Sequence, residues 1–292
     1  MPEDERVGAL EESETVETIP GTSSAAAEAP GLAWALRSHP GRVRTENEDF
    51  VGAYAPSDGG DHGAAFVVAD GMGGHAAGEV ASRIAVETVL QTWVGGSVSR
   101  PGQALRSASR SANTAVFAAS MDRECRGMGT TLVTLAVIEG EAFLTNVGDS
   151  RAYHVRSGAC SQLTTDHSRV GEMLRMRLIT PEQAANHPAR SQLTRSLGGE
   201  PAVQVDLIKK DIAVGDVFVL CSDGVWDLVS MREIADAVKS SPAEAAEKLI
   251  ATALERGAPD NVTVVVVRIT EGGAVAPERI SALQSLLGRM RR

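Results

Sequence analysis

Three apolar, strand-like runs each carry an aspartate at one end. AAFVVAD (64–70) closes on Asp70 and is followed by Gly71. DVFVLCSD (216–223) closes on Asp223 and is followed by Gly224, and Asp260 opens NVTVVVVRI (261–269). With TTLVTLAVI (130–138) and AFLTNVGD (142–149), these β-branched runs read as buried strands, because an apolar stretch without alternation leaves no face for water. Helix-period positions recur at Ile84, Val89, Leu90 and Trp93, at Leu105, Ala108, Ala112, Ala115, Val116 and Ala119, and at Ala246, Leu249, Ile250, Ala253 and Leu254. The first two helices follow one another across GGSVSRPG (95–102). A regular βαβα alternation would give a parallel sheet. Clustered strands and paired helices predict an α+β fold, with mostly antiparallel sheets and helices packed outside.

The chain has 292 residues and a formal charge of −10, but eight acids and a single base fall in residues 1–30, so the other 262 residues carry only −3. That near-neutral body lacks the basic footprint of a nucleic-acid binder, and ten aromatic residues offer few stacking platforms for single strands. Residues 1–30, rich in Glu, Ser, Thr, Ala and Pro, are expected to form a disordered acidic tail. Residues 31–270 are expected to form one domain. Residues 271–292 read as a linker, GGAVAP, and a short basic amphipathic helix. Cys125, Cys160 and Cys221 have no C-x-x-C spacing and are odd in number, which suits a reducing, cytoplasmic setting. No apolar run is long enough for a membrane span, and the start MPEDER is acidic where a signal peptide would be basic.

Any one strand-end aspartate reads as a turn or cap residue. Three together are different, since ionised groups at the edge of a core are costly unless paired or bound to a cation. Oxygen ligands without a His or Cys cluster select Mg²⁺ or Mn²⁺ over zinc. RTENED supplies Arg44, Glu48 and Asp49 ahead of the strand-like FVGAY. It reads either as an exposed charge run or as a phosphate-gripping arginine with two acids beside metal-bound waters. Asp149 ends a further strand in NVGDSRAY, and Asp227 lies four residues beyond Asp223; either also reads as a turn acid. GMGGHA (71–76) matches a dinucleotide fingerprint, but the helix after it leads into another helix, so the βαβ unit fails. P-loop, kinase and serine-elbow motifs are absent from the sequence.

In order, RTENED, VVADGMGGHAAGEVAS, GMGTTLV, NVGDSRAY, LTTDHS, LTRSLGG, LCSDGVWDLV and DNVTVVVV resemble the PPM family, the metal-dependent type 2C protein serine/threonine phosphatases, in its bacterial form. The resemblance covers about residues 33–270. It implies an αββα sandwich and hydrolysis of phosphoserine or phosphothreonine by a hydroxide bridging two Mn²⁺ or Mg²⁺ ions. In that frame Asp70 bridges the two ions, with the Gly71 carbonyl on one, and Asp223 and Asp260 bind the other. Arg44 binds phosphate, Glu48 and Asp49 are the outer acids, and Asp149 and Asp227 hold a weaker third ion. Asn261 completes a DN pair. Animal members carry D-G-H where this chain has Met72, so His75 becomes the candidate general acid, with a metal-bound water or a merely structural His75 as alternatives. Residues 168–192 correspond to a variable flap. Val170, Met173, Leu174, Arg175 and Arg177 predict one short helix there, and TPEQ starts a second. The implied partners are phosphorylated proteins, including a serine/threonine kinase and its substrates, and a monomer is expected. The alternatives are a catalytically silent phosphoprotein-binding scaffold of the same fold and a phosphatase of sigma-factor regulators.

Overall fold

The computed structural model describes residues 16–19, 23–56, 62–73, 77–96 and 99–270. In chain order the strands are β1 (Val16–Ile19), β2 (Ser23–Ala29), β3 (Leu32–His39), β4 (Asp49–Tyr54), β5 (Ala64–Met72), β6 (Gly129–Thr130), β7 (Leu132–Ile138), β8 (Glu141–Val147), β9 (Arg151–Arg156), β10 (Ala159–Gln162), β11 (Asp206–Asp211), β12 (Val217–Cys221) and β13 (Val262–Ile269). The helices are α1 (Ala77–Gly95), α2 (Pro101–Ala119), α3 (Arg169–Arg175), α4 (Pro181–Ala185), α5 (Asp223–Trp226), α6 (Met231–Ala237) and α7 (Pro242–Glu255). One sheet runs β1-β4-β5-β7-β8-β11, with β6 also on β5; the other runs β10-β9-β12-β13-β3-β2. The strand pairs are antiparallel, as the clustering of strands predicts.

Four layers follow from the alternation of side chains. Along β5, Phe66 and Val68 face the second sheet, where they meet Leu36, Leu220 and Val265. Ala65, Val67 and Ala69 face the other way, onto Ala81, Val89 and Trp93 of α1 and Leu105 and Ala112 of α2. In β13, Val265 and Val267 join the core between the sheets, while Val264 and Val266 pack under Leu249 and Ile250 of α7. Every central strand is therefore buried on both faces. This is why antiparallel strands here show the continuous apolar runs more usual in parallel sheets. Among the hydroxyls in these layers, Ser109 and Thr134 both hydrogen-bond the Thr145 hydroxyl, at 2.7 and 2.6 Å.

The expectation of a disordered tail over residues 1–30 is corrected for residues 16–19 and 23–29. β1 pairs with β4, and β2 with β3, so each sheet gains an edge strand from this segment. The reason is physical: an edge strand needs only main-chain hydrogen bonds, so a segment too poor in large aliphatics to build a core can still pair. The described side chains of β2 are largely exposed, in keeping with its composition. Residues 1–15, and the basic helix expected within 271–292, lie outside the described residues. The two short helices expected in the flap are α3 and α4, the latter opened by a Thr180–Gln183 capping box with Pro181 in its first turn.

Candidate metal centre

The strand ends bring the acids to one end of the sandwich. Asp70 sits near the end of β5, opposite Asp49 at the start of β4. The Asp70 main chain is fully engaged: its N–H donates to the Thr131 hydroxyl (2.9 Å), and its carbonyl accepts from Thr131 N–H (2.9 Å) and the Thr130 hydroxyl (2.9 Å). The carboxylate alone is left for the mouth. Asp223 is the first residue of α5, directly after β12 and the capping position Ser222, and Asp227 closes the same turn. Asp260 stands just before β13, where its Oδ1 accepts from Asn261 N–H (2.9 Å). Asp149 follows Gly148 at the end of β8.

Electrostatics report the same convergence. Burial pushes Asp70 well above the carboxylate range, and the charges of Asp49, Asp223, Asp149 and Asp260 push it further. Burial, then Asp223 and Asp166, raise Asp149 to about 7. Burial raises Asp49 to about 7, against hydrogen bonds from Thr263 and Ser222. Burial, with Asp260 and Asp227, raises Asp223 to about 6. Buried carboxylates that repel one another need a cation to stay ionised together. Asp49 sharpens the point: Oδ2 accepts from the Ser222 hydroxyl (2.7 Å), whereas Oδ1 is buried without a partner. The donor set, all oxygen and strongly anionic, fits hard divalent ions. Among the described residues no three such side chains are already closed to the spacing of a finished ion shell. What fits is thus the donor chemistry and the accumulated charge.

The loop carrying Arg44 and Glu48 is held against this mouth. The Asn261 side chain donates to the carbonyls of Pro40 (3.0 Å) and Glu46 (2.8 Å) and accepts from Glu48 N–H (2.8 Å). Arg44 reaches across to Asp260, Nη2 to Oδ2 at 2.9 Å, and remains half exposed. With Thr45, Glu46, Glu48 and Gly73 it lines an open cleft. Gly71 is fixed by close approach, since a Cβ there would lie 2.1 Å from the Gly78 carbonyl oxygen and 2.5 Å from that of Glu48. Arg190, from the flap, pairs with Asp227 at 3.2 Å.

Asp49, Asp70, Asp149, Asp223, Asp227, Asp260, Arg44 and Glu48 are therefore gathered at one mouth, with Gly71 directly after Asp70; His75 lies outside the described residues. Sequence reasoning missed the supports. Ser222 and Thr131 carry no pattern of their own, and Asn261 stands out in the sequence only as the second half of a DN pair.

Known proteins show the same arrangement of chain. The family described as Protein phosphatase 2C matches residues 38–262. Serine/threonine phosphatase stp of Listeria welshimeri is 38% identical over 239 residues, covering 80% of this chain and 94% of the relative. Serine/threonine protein phosphatase PstP of Mycobacterium tuberculosis is 39% identical over 246 residues, covering 82% of this chain but 45% of the relative. A crystal structure of the PstP catalytic domain in complex with two manganese ions aligns with a TM-score of 0.73 at 37% identity, over 82% of this chain and 99% of that one. The phosphatase MsPP of Mycobacterium smegmatis, in complex with cacodylate, aligns with a TM-score of 0.71 at 35% identity, over 82% and 100%.

Proposed function

The chain belongs to the protein phosphatase 2C family, and from that premise we propose that it hydrolyses phosphoserine and phosphothreonine monoesters in proteins, using Mn²⁺ or Mg²⁺. The observation that carries the reading is the set of buried, mutually repelling aspartates beside a half-exposed arginine. The presence of Asp70, Asp223 and Asp260 also argues against a silent scaffold.

Asp70, Asp223 and Asp260, with the Gly71 carbonyl, would hold two ions, and Asp149 and Asp227 a weaker third. Bound ions would supply Lewis acidity, generating hydroxide from water at neutral pH and balancing charge on the phosphoryl group. Arg44 grips two phosphoryl oxygens through its planar fork, and its bond to Asp260 keeps that fork beside the ion-holding carboxylates. Glu48 and Asp49 accept hydrogen bonds from water at the mouth and so orient it. His75 gives a proton to the departing seryl or threonyl oxygen. The flap, 168–192, influences substrate choice; replacing it with unchanged phosphopeptide preference would count against that role.

Among the described residues no helix is long and apolar enough to cross a membrane. We place the protein in the cytoplasm, with phosphorylated proteins as partners, a serine/threonine kinase and its substrates among them. Phosphoproteomics of cells lacking the protein would identify them. The direct test is hydrolysis of an aryl phosphate and a phosphopeptide with and without Mn²⁺. Activity that survives excess chelator, or the joint substitution Asp70→Asn and Asp223→Asn, refutes the reading.

A further inference from the structure

One buried histidine stands behind the acids and has no part in the chemistry above. His167, in LTTDHS, is 2% exposed. Its main-chain N–H donates to the Gly148 carbonyl (2.9 Å), and its ring Nδ1 accepts from Gly148 N–H (3.2 Å). A single residue thus grips both polar groups of Gly148. The next residue is Asp149. Gly148 holds a left-handed φ of +103°, and a Cβ there would lie 2.7 Å from the Thr131 side chain, so the turn has one tolerable shape.

Further contacts fix the ring. With Nδ1 accepting, the imidazole proton is assigned to Nε2, which donates to Asp206 Oδ2 (3.1 Å). Arg195 donates to the other oxygen of Asp206 (3.0 Å) and stands 3.1 Å from Nε2. Burial and the Arg195 charge hold the imidazole below its ordinary pKa, against the pull of Asp206. The His167 carbonyl also accepts from Thr194 N–H (2.8 Å), at the far root of the flap. Flap root, β11 and the Asp149 turn therefore meet on one residue.

We propose that His167 is a positioning residue for the weaker ion site: through Gly148 it fixes the turn that aims the Asp149 carboxylate at the mouth. The proposal rests on the reading of Asp149 as an ion ligand. His167→Asn would set an acceptor near the place of Nδ1, whereas the longer side chain of His167→Gln reaches the place of Nε2 and leaves Gly148 N–H without a partner.

Two measurements on the full chain test this. Hydrogen exchange at the Gly148 amide reads the grip without metal; Mn²⁺ titration by calorimetry reads its consequence. His167→Gln and His167→Ala are expected to speed Gly148 exchange and weaken the weakest Mn²⁺ event by at least ~10-fold, leaving the two tighter events in place. His167→Asn is expected to restore both to within about threefold of the unsubstituted protein. If His167→Ala does not fold, the contrast between His167→Asn and His167→Gln carries the test. Unchanged Gly148 exchange in His167→Gln, or equal weakening of every Mn²⁺ event, overturns the proposal. Asp149→Asn checks the underlying reading separately: if it removes no Mn²⁺ event, Asp149 is not a ligand and the ion half of the proposal falls, even with the grip intact.

Discussion

Substituting Asp149 by Asn should have opposite effects on stability with and without metal. Asp149 is buried, and its pKa rises from 3.8 to about 7, chiefly through burial and next through the Asp223 charge. A folded-state pKa above the unfolded one means that stability is fully present below about pH 4 and is lost as pH climbs through about 7. At ~1.4 kcal/mol per unit, the ionised side chain costs the metal-free fold roughly 4 kcal/mol above neutrality. Asn keeps the shape and removes the charge, but buries an amide of its own, so a net gain of about 2 kcal/mol is expected. At ~2–4 °C per kcal/mol, this corresponds to a melting temperature higher by roughly 4–8 °C in chelator at pH 7.5. The difference should shrink by more than half at pH 5, and in excess Mn²⁺ it should reverse, because the unsubstituted protein gains binding energy that Asn forgoes. Thermal melts followed by near-ultraviolet circular dichroism supply the comparison. An Asp149→Asn variant no more stable than its parent in chelator at pH 7.5, or a difference independent of pH, would refute the argument from repulsion.

Arg44→Lys replaces a planar fork with a point charge and should lower kcat/KM for a phosphopeptide by about 10- to 100-fold at saturating Mn²⁺, mainly through KM. Gly71→Ala sets a Cβ against two main-chain oxygens, at 2.1 and 2.5 Å, and should cost at least ~1–3 kcal/mol in urea unfolding. Gly78→Ala meets the end of the Glu48 side chain at 2.4 Å and the Gly71 main-chain carbon at 3.1 Å, so it should cost less in unfolding than Gly71→Ala while reducing turnover. His75→Ala should slow a phosphoserine peptide by at least ~100-fold but barely affect an aryl phosphate, whose leaving group needs no proton; equal losses on both substrates would exclude the acid role.

Asp70, Asp223 and Asp260 were legible because an acid at the end of an apolar strand is a local signal. The order of strands and helices was legible for a similar reason, since each run shows its own period. What the sequence hid lies in pairings between distant segments. Asn261 binds three main-chain groups some two hundred positions away, and His167 reads locally as one more scattered histidine. Residues 16–19 and 23–29 misled because composition speaks for side chains, whereas β1 and β2 attach through the backbone of β4 and β3.

The Asn261 clamp also bears on how such an enzyme can be retuned. Because one amide spans Pro40, Glu46 and Glu48, lengthening or shortening the loop that bears Arg44 would pull it away from Asn261, the neighbour of Asp260. Diversification on this scaffold is thereby channelled elsewhere. The 168–192 segment is cinched at its base by the Ser168–Leu193 bridge, with most of its side chains between those roots facing water. Substitutions on that exposed stretch therefore disturb fewer buried contacts than changes in the Arg44 loop, the Arg190–Asp227 pair at the mouth excepted.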